Sequence, residues 1–362
     1  MHLFGWGASK QFGDWGDYNH YDELGGLEHF RDSVAKVQAS GVPIGLYIDG
    51  YVHCSAASIA GSHAKEWAVL RADGQPAWIK EYNGYNECPY LAPWQQHLAQ
   101  TYRRVLQDVG AKAMYIDELG ATDGRWSCYG GDRHGHPGEV IPYRGELELM
   151  QAIRQAAGPE VPLYVEYPPS EAARQVLDGA FSYYAIWGQD QADAAPHFVN
   201  LSRFVFPEFK TFHILSYATP RAGNWYHFKV PFFNGEGYDV GEPGLAAMDP
   251  DCLAFLRRVM DVQTSHREAF AGRDVEPLTP TLQAGVFANR FSALSETVWT
   301  LFNTTGRTVR GEILAVPHRP GAAYHDLWNN SPLQPRLDQG RAMLALELPP
   351  QSVGCVGQQI HD

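Results

Sequence analysis

The chain has 362 residues, 41 acidic against 28 basic, for a formal charge of −13. That balance excludes a nucleic-acid partner, because phosphate binding needs a basic surface, and no run of about 18 apolar residues exists to span a membrane. The length fits a barrel of roughly 250 residues with a smaller domain beside it.

The first strand is predicted over His2–Trp6. Met1 runs almost straight into Leu3-Phe4-Gly5-Trp6, so no leader is expected before the fold. Next comes an aromatic loop, Phe12-Gly13-Asp14-Trp15-Gly16-Asp17-Tyr18, with the mixture of flat rings and polar groups that suits a sugar. A helix over residues 26–40, closed by Gly41, leads into a strand at Ile44–Asp49. A second helix, from about Pro93 to Val109, precedes Ala113-Met114-Tyr115-Ile116-Asp117-Glu118-Leu119-Gly120. This apolar run stops abruptly on two carboxylates and reads as a buried parallel strand. A helix over 144–157 and a strand at Leu163–Glu166 follow, and Pro168-Pro169 force that strand to end with Glu166 at its tip. Further helices are predicted over 170–177, 192–201 and 250–270, and strands at Ala180–Ala185 and Phe212–Tyr217. Phe232-Phe233 reads as the start of another strand.

Repeated strand-then-helix units imply a parallel sheet. No glycine-rich phosphate loop follows the first strand, and polar or aromatic residues recur at strand ends (Asp49, Asp117, Glu166, Trp187, Tyr217). Function spread over many strand tips indicates a (β/α)8 TIM-type barrel over 1–274 rather than a doubly wound sheet. Beyond Gly272 the pattern changes to short alternating segments between Gly, Pro, Asn and Asp turns, which predicts a C-terminal antiparallel β-sandwich over 275–362.

The five cysteines are widely spread with no CxxC pair, which predicts reduced, individually buried thiols rather than disulfides or a zinc site. Unpaired thiols lean toward a cytoplasmic setting, but the compartment stays open. His134-Gly135-His136 has ligand-like spacing, yet no third ligand is signposted, so the pair reads as solvated loop histidines and no metal is expected. A serine-hydrolase elbow, an HExxH motif and a P-loop are all absent from the sequence.

Two consecutive predicted strands end in acids, Asp117 and Glu166. Adjacent strands lie about 4.8 Å apart, so the two carboxyls can face one sugar-sized space. Glycosidic hydrolysis needs such a pair, one acid attacking the anomeric carbon or activating water and the other protonating the leaving oxygen. Glu118 alternates to the other face of the strand and is expected to orient a neighbour or line the site. Trp6, Asp49, His53, Trp187, His213 and Tyr217 are candidate substrate contacts. Asp190 follows Trp187 and competes with Glu166 for the acid/base role, though it also reads as a helix cap.

Gly25-Gly26-Leu27 through Gly41-Val42-Pro43-Ile44-Gly45-Leu46-Tyr47-Ile48, then Tyr115-Ile116-Asp117-Glu118, resembles retaining α-glycosidase barrels. These include the α-galactosidase clan and the endo-α-N-acetylgalactosaminidase-like enzymes. The resemblance implies a nucleophile at Asp117. It implies an acid/base near Asp190 in the galactosidase-like branch, and at Glu166 in the other. The sequence lacks the Lys-Tyr-Asp strand end of the galactosidase pattern. The expectation is therefore a retaining glycoside hydrolase acting on an α-linked sugar, with an oligosaccharide or glycoside as its partner and no cofactor. The rivals are an inverting hydrolase and a carbohydrate-binding, catalytically inactive barrel.

Overall fold

The computed structural model describes residues 1–6, 15–54, 57, 63–120, 126–182, 199–215, 226–240 and 245–360. The chain divides into two compact units, Met1–Phe181 and Ser182–Asp362.

The first unit is built on five parallel strands: β1 (His2–Leu3), β2 (Gly45–Asp49), and, after a three-stranded insertion, β6 (Ala113–Asp117), β7 (Leu163–Val165) and β8 (Gly179–Ser182). They lie side by side in that order. The crossovers carry α1 (Leu27–Ala39), α3 (Ala92–Val109) and α4 (Tyr143–Ala157). In α3 the buried residues Trp94, Leu98, Thr101, Tyr102, Val105 and Val109 recur at three- and four-residue spacing, one apolar stripe against the sheet. Gly110 ends that helix at φ 75°, its N–H capping the Leu106 carbonyl, a conformation that disfavours a side chain.

Between β2 and α3 lies a small antiparallel sheet that the sequence pattern did not predict: β3 (Val52–Cys54), β4 (Trp78–Ile79) and β5 (Gly84–Asn86), in the order β3-β5-β4. A short helix, α2 (Ala64–Trp67), sits within this insertion. The following loop is also unlike its expectation. His134 and His136, expected to be solvated, are 1% and 3% exposed. Cys88 and Cys128, expected to be buried separately, share one buried cluster with Val69 and Ala77.

In the second unit, α5 (Leu201–Val205) precedes β9 (Lys210–Ile214), which pairs in parallel with β10 (Gly237–Asp239). Phe232 and Phe233, read as a strand, instead end the helix α6 (Tyr226–Phe233), since a bare apolar pair carries no period to separate the two states. The helix predicted over 250–270 is two, α7 (Pro250–Ser265) and α8 (Arg267–Ala271). Asp249 caps α7 by accepting from the backbone N–H groups of Asp251 and Cys252. Among the described residues the parallel strands number seven, so the predicted eight-stranded barrel is present in part, without a closed ring.

Every element from Asp274 onward is an antiparallel strand. The strands β11 (Asp274–Thr279), β12 (Val286–Ser292), β13 (Glu296–Asn303), β19 (Val353–Ile360), β15 (Ala322–Asp326) and β16 (Ser331–Leu333) form one sheet, in that order. The other sheet is β14 (Val309–Pro317), β18 (Arg341–Leu348) and β17 (Arg336–Asp338). Trp299 and Leu301 from the first sheet pack with Ile313, Leu314, Leu344 and Leu346 from the second in one buried core, which makes the arrangement a sandwich.

Candidate active site

Strand register sets the site. Tyr47 pairs with Tyr115 and Asp49 with Asp117 across β2 and β6. Across β6 and β7, Ile116 pairs with Val165, which puts Asp117 and Glu166 next in line. Residues two apart on a strand share a face, so Tyr47 with Asp49, and Tyr115 with Asp117, point to the same side of the sheet.

Asp117 ends β6 partly exposed, and both its oxygens are held. The Tyr47 hydroxyl donates to Oδ2 at 2.6 Å and the Tyr115 hydroxyl to Oδ1 at 2.7 Å. Burial raises the Asp117 pKa, and the hydrogen bonds from Tyr115, Tyr47, the Glu118 backbone and the Glu166 carboxyl pull it back down. The register sets Asp117 and Glu166 side by side at neighbouring strand tips. Tyr47 is itself pushed well above its usual range by burial and by the neighbouring Asp117 charge, so it stays a proton donor.

Glu166 is 8% exposed, and its Oε2 accepts the backbone N–H of Glu118 at 3.1 Å. Glu118 has a left-handed backbone, φ 64°, which an L-residue adopts at some cost. That bend aims its N–H at Glu166 while its side chain accepts from the Tyr82 hydroxyl at 2.8 Å. Gly120 follows at φ 89°, where a Cβ would meet the Tyr167 carbonyl at 2.4 Å. The exits of β6 and β7 are thus pressed together by backbone.

Asp49 is 1% exposed. Its Oδ1 accepts from the backbone N–H groups of Tyr51, at 2.7 Å, and Val52, and its own N–H donates to the Tyr18 hydroxyl at 2.7 Å. Its Oδ2 is buried without a hydrogen-bond partner. Asp49, Asp117 and Glu118 each bring a carboxylate oxygen within 4.8 Å of the others. Burial, followed by the charges of Glu118 and Asp117, raises the Asp49 pKa well above the carboxylate range. The cluster therefore holds its protons more firmly than isolated carboxylates do.

The remaining candidates separate clearly. Trp6 is not a sugar platform; at 5% exposure it stacks in a core with Tyr18, Tyr21 and Phe30, its Nε1 donating to the Tyr47 carbonyl. His53 is fully buried beside Trp94 and His97, 3.3 Å from Glu87, and cannot touch substrate there. Burial and the neighbouring His97 lower its pKa to about 4, so the ring is neutral. His213 belongs to the second unit, buried against Glu236 with Nε2 2.8 Å from Oε2. Trp187, Asp190 and Tyr217 lie outside the described residues. The sequence reading missed Tyr47 and Tyr115. The available signal was their position two residues before a strand-tip acid.

Residues 1–156 match a family described as a domain of unknown function, DUF6259. A Monosiga brevicollis protein named "Putative glycoside hydrolase 22789" is 26% identical over 160 residues, covering 41% of this chain and 13% of that much longer protein. Among solved structures, an alpha-amylase from Lactobacillus plantarum aligns over 96% of this chain and 84% of its own, with a TM-score of 0.63 and 13% identity. The alpha-amylase of Geobacillus thermoleovorans, complexed with acarbose, aligns over 93% and 81% (TM-score 0.59, 11% identity). A GH36 alpha-galactosidase from Geobacillus stearothermophilus, in complex with raffinose, aligns over 99% and 50% (TM-score 0.61, 12% identity). At these identities the likeness is one of fold: parallel α/β strands followed by a β-rich C-terminal part.

Proposed function

We propose that this chain is a glycoside hydrolase of the (β/α)-barrel type that cleaves an α-linked glycosidic bond in an oligosaccharide or glycoside with retention of configuration. The observation that carries the reading is the pair of acids Asp117 and Glu166 side by side at neighbouring strand tips, the first held by the Tyr47 and Tyr115 hydroxyls and the second by the Glu118 N–H. Two neighbouring acids resist ionising together, which favours one charged and one protonated. A double displacement starts from that state.

In this scheme the Asp117 carboxylate attacks the anomeric carbon while Glu166 gives its proton to the departing oxygen. A glycosyl ester on Asp117 results. Glu166, now a carboxylate, takes a proton from the water that breaks the ester, which restores both acids. Tyr47 and Tyr115 fix the Asp117 carboxylate for attack, and the Glu118 N–H fixes Glu166. An inverting pair is typically about 6.5–9.5 Å apart to admit a water and a retaining pair about 5–5.5 Å; acids at the tips of adjacent strands, about 4.8 Å apart, favour the retaining arrangement. The named relatives and solved structures are carbohydrate-active proteins, which supports the same class. Asp49, caught in its backbone cap, is assigned to shaping the charge of the site.

The test is a panel of aryl α- and β-glycosides with Asp117→Asn and Glu166→Gln alongside. Asp117→Asn is expected to lower turnover more than about 10⁴-fold on every substrate. Glu166→Gln is expected to cost about 10²–10⁴-fold with poor leaving groups and much less with good ones. Proton NMR of the first-formed product should show the substrate's own anomer. An inverted product or an indifferent Asp117→Asn variant would overturn the assignment.

A further inference from the structure

We propose that Cys88, Cys128, His134 and His136 form a closed, four-ligand structural zinc site in the first unit. This reverses the sequence-based expectation of no metal, and it stands independently of the glycosidase reading. The four side chains are 0–3% exposed, and each offers a ligand atom within 4.8 Å of all the others. A tetrahedral ion with Zn–S of about 2.3 Å and Zn–N of about 2.0–2.1 Å needs ligand atoms roughly 3.3–3.8 Å apart. His134 Nδ1 already lies 3.2 Å from the Cys128 sulfur.

The surroundings are built for an ion. Nε2 of His136 is buried without a hydrogen-bond partner, an arrangement that is costly unless something binds there. His136 Nδ1 is 3.0 Å from the Gly138 carbonyl, the backing bond that sets a ligating imidazole with Nε2 forward. The Gly130 N–H donates to the Cys128 sulfur at 3.4 Å. Gly130 is required sterically, since a Cβ there would sit 2.4 Å from the His134 ring.

The fold brings the four together from two distant stretches. Cys88 follows β5, and its N–H bonds the Trp67 carbonyl at 2.9 Å. Cys128 is held by a two-way backbone bridge with Val140. His134 ends a short 3-10 helix at residues 131–134, and Gly135 turns the chain at φ 75° so that His136 returns. Two thiolates and two imidazoles with no ligand position left over suit Zn²⁺ in a structural role. The ion would tie the loop after β6, which starts at the Asp117–Glu118 tip, to the β3–β5 insertion.

The experiment uses the full, untagged chain. Elemental analysis should find one zinc per chain in the wild type and in Cys252→Ser, and none in Cys128→Ser, His136→Ala or Gly130→Ala. Replacing zinc by Co²⁺ should give the visible bands of a tetrahedral ion and a thiolate charge-transfer band. A strong chelator should lower Tm by about 5 °C or more, and added zinc should restore it. If the variants do not fold, the wild-type metal count and cobalt spectrum decide. A metal-free wild type overturns the proposal, whether Cys88 and Cys128 are then found as free thiols or as a disulfide. So does zinc retained in Cys128→Ser. Metal content is read without any glycoside, so its failure is distinct from failure of the hydrolase reading.

Discussion

The Asp117 carboxylate owes its state to a contest between burial, which favours the neutral acid, and two phenols that favour the anion. Removing either phenol shifts the contest toward the proton. Tyr47→Phe and Tyr115→Phe are each expected to raise the Asp117 pKa. The acid limb of the kcat/KM profile should therefore move to higher pH, because attack needs the ionised form. Loss of one hydrogen bond to a charged group corresponds to about 1.5–3 kcal/mol, so kcat/KM should fall roughly 10- to 150-fold. A pH–rate series on a fast aryl glycoside checks both, and an unmoved limb would remove the phenols from this role. Asp49 gives a prediction about stability. Its folded pKa lies well above the unfolded value of about 3.9. As pH rises from about 4, the unfolded chain releases that proton first, so stability falls through the window up to the raised folded pKa. Asp49→Asn keeps an oxygen for the Tyr51 and Val52 N–H groups but cannot ionise. The Tm difference, variant minus wild type, should therefore grow from pH 4 to pH 7, and parallel melting curves would refute it.

At the level of elements, what could be read from the sequence and what could not follow from how each signal is stored. Ala113–Asp117 was legible to the residue because a short β-rich apolar run bounded by acids has few other readings. The α3 stripe was legible through its helical spacing. The β3–β5 insertion was not, because strands of two or three residues carry no period, and Val52-His53-Cys54 owes its pairing to Gly84-Tyr85-Asn86 thirty residues away. The Cys/His cluster was hidden for the same reason. Cys128, His134 and His136 lie close in sequence, but Cys88 reaches them only through tertiary folding. At the site, Asp117 and Glu166 were legible as strand tips, whereas Trp6 and His53 were misplaced because an aromatic near a strand end looks alike on either face. The turn at Gly120 is a further element-scale test. Its positive φ and the carbonyl of Tyr167 leave no space for a methyl group, so Gly120→Ala should cost about 2 kcal/mol or more in chemical denaturation. A variant as stable as wild type would mean that the β6 and β7 exits are not pressed together.

For the whole molecule, the sandwich is not self-sufficient. Phe291, Val298 and Phe302 on its first sheet share a buried core with Phe232, Phe233, Val259, Val262 and Phe270 from the helices before it. The Asn289 and Thr300 side chains also donate to the Phe233 carbonyl. A fragment of residues 275–362 is therefore expected to expose this phenylalanine-rich face and to aggregate or bind an apolar dye, although its own strands pair correctly. A soluble, monomeric, dye-free fragment would show that the textural change near residue 275 is also a folding boundary. No described helix is long and apolar enough to cross a membrane.

The left-handed backbone of Glu118 limits which side chains this position accepts. Glycine, asparagine and aspartate take that conformation at little cost, whereas β-branched residues do so poorly. The backbone at 118 thus admits a narrow set of side chains, while the amide that clasps Glu166 belongs to the bend of the chain and not to the carboxylate.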